Sequence, residues 1–304
     1  MWERSNHNGG LAMRFAGVDI GGTGVKMALV DGEKGLLERS SFPSFHGDSE
    51  KMAQEIARRV KEMQVDAVGI GTAGSVHLDT GLVYASNMGW WGVPFRKQLE
   101  AACGLPVWVD NDAQCAMMAE VFDGALHNVR NAVYLTFGTG VGGALLIEGR
   151  PWRASNNVAA EFGHMITHAG GLVCACKRRG CFEMYASASA LRRMAGGLDP
   201  EDVFAGAQAG DGRMQRILQD YYREIGIGMV NVVSLFNPDV IALGGGISAA
   251  GDVLLHGVED AFYEQMSGRR DFFKGEFRLA RHRNSAGVLG AAMLAKFHFA
   301  EENA

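Results

Sequence analysis

One imidazole and three thiols stand close together in the second half of the chain. Within GHMITHAGGLVCACKRRGCFE, residues 163–183, His164, Cys174, Cys176 and Cys181 follow the spacing H-x9-C-x-C-x4-C. Imidazole nitrogen and thiolate sulfur are the ligands of closed tetrahedral zinc sites, and four protein ligands leave no open position for a reactive water. The spacing therefore predicts structural Zn²⁺, with His168 as a competing ligand. Cysteine is also a common core residue, and Cys103 and Cys115 are read that way. Three cysteines within eight residues, beside Lys177, Arg178 and Arg179, are read as ligands.

The other chemistry on offer is phosphate binding. The 42 glycines among 304 residues are roughly twice ordinary usage, and they cluster in short runs between apolar stretches. Residues 15–31 (FAGVDIGGTGVKMALVD) and 132–149 (AVYLTFGTGVGGALLIEG) each set a strand-length apolar run, a glycine turn and a second run. That is the pattern of a β-hairpin. Neither matches the P-loop or the G-x-G-x-x-G that opens a helix. Two such hairpins, each opening one half of the chain, predict a duplicated domain that clamps one polyphosphate.

The elements between them alternate. Met52, Ile56, Val60 and Met63 share one face of a helix over 49–63, with Asp48 or Ser49 to cap it. A strand at 65–70 precedes a hairpin turn around Asp79-Thr80-Gly81, and a helix runs from Pro94 to a stop at Gly104. The strand PVWVD then delivers Asn111 and Asp112 at its carboxyl end, before a helix over 113–122. Ligand groups gather outside such strand ends, whereas an aspartate before a helix is also an ordinary N-cap. Alternation turns Asp110 to the side opposite Asn111. In the second half, Asp199-Pro200 starts a helix, a long helix covers 211–236, and the strand DVIAL leads to Gly244-Gly245-Gly246. A last helix covers about 285–299. Strands alternating with helices predict an α/β fold.

Composition bounds the function. Hydrophobic residues are 47% and charged residues 21%, as in globular proteins. No apolar run reaches 18 residues, so no membrane span is expected. A net charge of −5 and a pI near 6.0 argue against a nucleic-acid surface. Five cysteines, an odd number, fit a reducing compartment and a cytoplasmic location. Residues 1–13 are polar, lack the apolar core of a signal peptide and are read as a disordered leader.

In this order and at these separations, DIGGTGVK (19–26), GIGTAG (69–74), NMGWWGVP (87–94), VDNDA (109–113), FGTGVGG (137–143), EFGH (161–164), CACKRRGCFE (174–183) and PDVIALGGG (238–246) resemble the ROK family (repressor, open reading frame, kinase) from Phe15 to Ala300. The resemblance implies an actin-like ATPase fold, with two ribonuclease-H-like domains and the active site in the cleft between them. The smaller domain would take 14–113 and the C-terminal helix 286–304; the larger, with the zinc loop, would take 114–285. It also implies a homodimer.

The resemblance further implies an ATP-dependent sugar kinase that uses Mg²⁺ and phosphorylates the 6-hydroxyl of a hexose, glucose first. Asp19, Gly21, Gly22, Thr23 and Lys26, with Gly138, Thr139 and Gly140, look like the two phosphate hairpins, their N–H groups aimed at phosphate and Asp19 toward Mg²⁺. Gly244, Gly245 and Gly246 resemble an adenosine site that the missing side chains leave open. Gly74, Asn111, Asp112, Glu161, His164 and Glu183 match sugar-contacting positions, with His164 serving metal and sugar at once. Phosphoryl transfer needs positioning, charge neutralisation and a base for the incoming hydroxyl, and Asp112 is that base. Lys177 and Ala160 stand where the family usually has glycine, and RASNNV (153–158) lacks the usual glycines; a changed loop turn and sugar-site rim are expected. N-acetylhexosamine kinase and fructokinase are the alternatives within the family. A polyphosphate donor is disfavoured by the CxC…C loop. A sugar-sensing regulator is disfavoured because about 14 residues before Phe15 cannot form a helix-turn-helix.

Overall fold

The computed structural model describes residues 13–31, 35–77, 80–85, 88–155, 157, 160–267 and 271–303. Of the expected leader only Met13 is among them, and Asp79 of the expected turn, Asn87 of NMGWWGVP and Asn156 and Val158 of RASNNV lie outside. The chain divides into two units, Met1–Asn128 with Arg153–Ala159 and Ser285–Ala304, and Val129–Trp152 with Ala160–Asn284.

In the first unit, β1 (Arg14–Ile20) turns back into β2 (Gly24–Asp31) and β3 (Gly35–Pro43). The helix α1 (Ser49–Met63) follows, its first turn closed by the Asp48 carboxylate, which accepts from Lys51 N at 2.9 Å. Then come β4 (Ala67–Thr72), a small three-stranded sheet of β5 (Ser75–His77), β6 (Leu82–Ala85) and β7 (Trp90–Val93), and α2 (Phe95–Cys103), which ends at Gly104 as the sequence predicts. The strand β8 (Val107–Asn111) leads directly into α3 (Asp112–Asp123). The main sheet has the order β3-β2-β1-β4-β8, with β4 and β8 parallel to β1.

The second unit repeats that plan. Strands β9 (Ala132–Phe137), β10 (Val141–Ile147) and β11 (Arg150–Pro151) form the antiparallel side. After α4 (Glu183–Ala186), α5 (Ala188–Met194), α6 (Pro200–Gln208) and α7 (Gly212–Phe236) come β12 (Val240–Gly244), α8 (Asp252–Gln265) and β13 (Glu276–Leu279). The order β11-β10-β9-β12-β13 is that of the first sheet, strand for strand. Each hairpin predicted from glycine patterning is present at the same place in its sheet. The chain ends in α9 (Ala286–Glu302), which belongs to the first unit. Among the described residues no helix is long and apolar enough to cross a membrane.

Strand alternation divides the work of the first sheet between its faces. Ala16, Val18, Val68 and Ile70 join Met52, Ile56 and Val60 of α1 in one core. On the other face Gly17 and Gly69, paired across β1 and β4, meet α9. A Cβ on Gly69 would stand 1.7 Å from the Ala291 carbonyl oxygen, and one on Gly17 1.9 Å from that of Val288. The helix lies with its backbone on the strands. Its other side meets α3, where a Cβ on Gly290 would stand 1.5 Å from the Cys115 carbonyl oxygen. Enclosed in this way, α9 has no polar face over its first half: residues 288–295 are all buried. The same packing moves the domain boundary read from sequence, because α3 stays with the first unit and does not pass at residue 114 to the second.

Gly69→Ala is expected to cost roughly 2–3 kcal/mol, the upper range for overpacking, because the obstructing atom is backbone. Urea denaturation of purified variant and wild type measures it, and a loss under about 1 kcal/mol would mean that α9 can slide away.

Candidate active site and metal centre

In the first unit, two carboxylates stand at the ends of parallel strands. Asp19 is the penultimate residue of β1, cross-strand from Lys26 on β2. Burial raises its pKa and Lys26 partly offsets the rise. Its oxygens lie against the start of α9, where a Cβ on Gly287 would come within 2.8 Å of Oδ2. The turn between Asp19 and Lys26 is closed by Gly21 N donating to Gly24 O at 3.0 Å, and Ser44 Oγ donates to Gly21 O at 2.6 Å. Thr23 is exposed at its tip.

Asp112 is the first residue of α3, and it is not the cap. Asn111 caps the helix: its Oδ1 accepts from Ala113 N at 2.9 Å, and its Nδ2 donates to Gly74 O at 2.9 Å. Asn111 is thus held as a tie between α3 and the turn after β4. Gly74 has φ +95°, and its missing side chain leaves room for the Tyr84 carbonyl oxygen, 2.2 Å from where a Cβ would be. Asp112 Oδ1 accepts from Ala113 N at 2.8 Å within the first turn, where the helix dipole favours a negative charge.

Asp110 faces the opposite side, as alternation predicts, and is fully buried. Arg153 pairs with its carboxylate, and Asn157 Nδ2 donates to it at 3.2 Å and to Val76 O at 3.1 Å. The segment that lacks the family's glycines is therefore fastened to the end of β8. Sequence reasoning missed this tie; its one signal was the pair of polar side chains in RASNNV where glycine is usual.

In the second unit, the hairpin between β9 and β10 closes as its counterpart does, with Gly138 N donating to Gly140 O at 3.0 Å. Ala188 N of α5 donates to Gly138 O, and Glu183 lies under the turn, 2.5 Å from where a Gly140 Cβ would stand. Of the predicted adenosine glycines, Gly244 and Gly245 face protein: added Cβ atoms would meet Tyr134 Oη and the Phe137 carbonyl oxygen, each at 2.4 Å. Gly246 alone has open space beside it. Two of these three glycines serve the packing of β12 against β9.

His164, Cys174, Cys176 and Cys181 converge, with one ligand atom from each lying within 4.8 Å of all the others. The ribbon that gathers them is held by bridges Ile166–Cys181 and Val173–Arg179. Cys176 Sγ is 3.5 Å from Cys181 Sγ, and Cys174 Sγ is 3.8 Å from His164 Nδ1. Zn–S and Zn–N bonds of about 2.3 and 2.0 Å at tetrahedral angles put ligand atoms about 3.5–3.8 Å apart, so the cluster fits Zn²⁺. Burial pushes the Cys176 thiol up, but the backbone and guanidinium of Arg178 outweigh it and bring the pKa to about 6. Cys174 is raised by burial and by its bond to Glu183, Sγ donating to Oε1 at 2.8 Å. His168 is outside the cluster; its Nε2 lies 3.5 Å from Glu224 Oε2.

The imidazole of His164 has two occupations. Nδ1 faces Cys174 and, at 3.6 Å, Glu183; Nε2 faces Glu161 at 3.9 Å. Glu161 precedes the 3₁₀ turn Phe162–His164 and is half-exposed. His164, Glu161 and Glu183 thus form one polar group beside the metal cluster.

A model of the ROK family matches residues 15–298. The chain belongs to the ROK family. It is 35% identical to a glucokinase of Streptomyces coelicolor over 92% of this chain and 96% of that one. The ROK hexokinase of Thermus thermophilus superposes with a TM-score of 0.83 at 32% identity, covering 95% of this chain and all of that one. A ROK glucokinase of Streptomyces griseus, solved with glucose and AMPPNP, gives 0.83 at 31% identity over 93% and 99%. The repeated five-stranded sheet is accordingly that of the actin-like ATPase fold.

Both non-glycine departures occupy left-handed backbone: φ is +63° at Ala160 and +70° at Lys177. The cysteine ribbon turns at Lys177, whose N–H donates to Cys174 O at 2.9 Å. A left-handed non-glycine residue costs about 1–2 kcal/mol, and relieving it with glycine is partly offset by the greater chain entropy that glycine brings to the unfolded state. Lys177→Gly should therefore gain about 0.5–1 kcal/mol, read as a raised denaturation midpoint. For the metal, elemental analysis should find one Zn²⁺ per chain, and Cys174→Ser should leave well under half of it; metal-free wild type with full activity would refute the centre.

Proposed function

We propose that this chain transfers the γ-phosphate of ATP to the 6-hydroxyl of glucose, with Asp112 as general base. The observation that carries the reading is the S. griseus relative, which holds glucose and an ATP analogue and shares this fold at 31% identity. The placement of Asp112 supports it. The carboxylate is held at the start of α3, at the carboxyl end of a parallel strand, where a carboxylate can accept a hydroxyl proton.

Hydroxyls both donate and accept hydrogen bonds, so the acidic and imidazole groups Glu161, His164 and Glu183 suit a sugar. Asn111 contributes by position, since its amide is engaged with Gly74 and α3. The backbone turns at Gly21–Thr23 and Gly138–Gly140 are the phosphate contacts. Gly246 is the glycine open to the nucleoside. Mg²⁺ arriving with ATP supplies charge neutralisation, and Asp19, a carboxylate whose burial otherwise disfavours its charge, is the residue to hold it. Zn²⁺ at the four-ligand cluster is structural: it orders the ribbon that carries His164. The same reading implies a cytoplasmic homodimer.

Asp112→Asn should fold normally and lower kcat by about 10²–10⁴-fold; a loss under about tenfold would remove the base from this position. Rates across glucose, mannose, fructose, N-acetylglucosamine and N-acetylmannosamine, with ATP and with polyphosphate, should be highest for glucose with ATP.

A further inference from the structure

His168 entered as a rival zinc ligand, and the structure gives it other neighbours. Its ring stacks on Tyr185, with centroids 3.9 Å apart and planes 19° apart. Nδ1 lies 3.1 Å from Thr167 Oγ1, and Nε2 lies 3.5 Å from Glu224 Oε2. That carboxylate oxygen is buried and accepts no hydrogen bond among the described residues, with the His168 ring nitrogen 3.5 Å from it. Burial raises the Glu224 pKa while His168 lowers it.

These neighbours sit on three elements. His168 lies four residues beyond His164 on the cysteine ribbon, and its N–H and that of Thr167 both donate to Gly180 O. Tyr185 lies on α4, the short helix that also presents Glu183; its hydroxyl accepts from Leu172 N at 2.8 Å. Glu224 lies on α7. One turn earlier on the same face, Tyr221 donates to Ala186 O at 2.8 Å and so anchors α4 to the same helix. α7 therefore holds both the ribbon and α4, and His168 joins them.

We propose that His168 is a positioning residue for sugar binding: clamped between Tyr185 and Glu224, it sets the ribbon carrying His164 against the helix carrying Glu183. The proposal rests on the reading of His164 and Glu183 as sugar contacts. A four-residue helix such as α4 has too few internal hydrogen bonds to hold its own place. The His164 Nδ1–Glu183 separation of 3.6 Å is thus maintained from outside, through Tyr221 and through the His168 stack.

His168→Ala is expected to raise the KM for glucose about 10-fold or more, the usual cost of losing a group that orients a ligand residue. The KM for ATP should stay within about twofold, and Zn²⁺ should pass faster to a chromogenic chelator. His168→Gln, which keeps a planar donor, should recover most of the loss. Glu224→Gln, which preserves shape, should show a smaller effect of the same kind and decides the matter if His168→Ala does not fold. An unchanged glucose KM in both His168→Ala and Glu224→Gln, or an equal rise in the KM values for glucose and ATP, would overturn the clamp. Should the wild type phosphorylate no hexose, the kinase reading fails by itself. The zinc-release rates of wild type and His168→Ala then still test the clamp, and equal rates would refute it.

Discussion

The backbone of α9 lies directly on the backbones of β1, β4 and α3, and the placement of the carboxylates in the first unit depends on that contact. Side chains are absent where it is made, at Gly17, Gly69 and Gly290. Close approach of this kind leaves little play, since backbone atoms have no rotamers with which to absorb strain. It settles the first turn of α9 beside the Asp19 carboxylate at one strand end and the body of the helix along α3, which starts at Asp112. Two carboxylates far apart in sequence are thereby referred to one rigid element.

The second unit solves the equivalent problem by other means. Its clustered cysteine, histidine and carboxylate groups lie on a ribbon and a four-residue helix, elements with little stability of their own. They are held by a four-ligand cluster and by side chains reaching from α7. A metal bound there would replace the hydrophobic packing that such a polar segment cannot provide, and its binding free energy would contribute to folding. The left-handed Lys177 shows that the ribbon tolerates a strained residue at its turn, as a site held by several independent ties can.

Duplication links the two solutions. The same strand order occurs in both sheets, and each sheet puts a glycine hairpin at the same place. Phosphoryl transfer asks for backbone donors, a few charges and one base, all well placed. The elements that differ between the units are α9, against Asp19 in the first, and the cysteine ribbon, beside Glu161 and Glu183 in the second.

Local pattern was enough for a large part of this. Hairpins, helices such as 49–63, the cysteine–histidine ligand set and the motif order that marks the ROK family are short-range features, and short-range geometry follows from residue type and spacing. Three things needed the folded chain. Asn111, and not Asp112, caps α3, because the choice depends on the Gly74 carbonyl reached across the sheet. Most of the GGG turn serves packing, because what a glycine faces is a property of neighbours distant in sequence. Arg153 and Asn157 on Asp110, and His168 between Tyr185 and Glu224, join segments with no common pattern. Sequence alone determined which groups could do the chemistry; tertiary contact decided which are free for it and which hold the others in place, because a side chain's partners are set by where the chain returns.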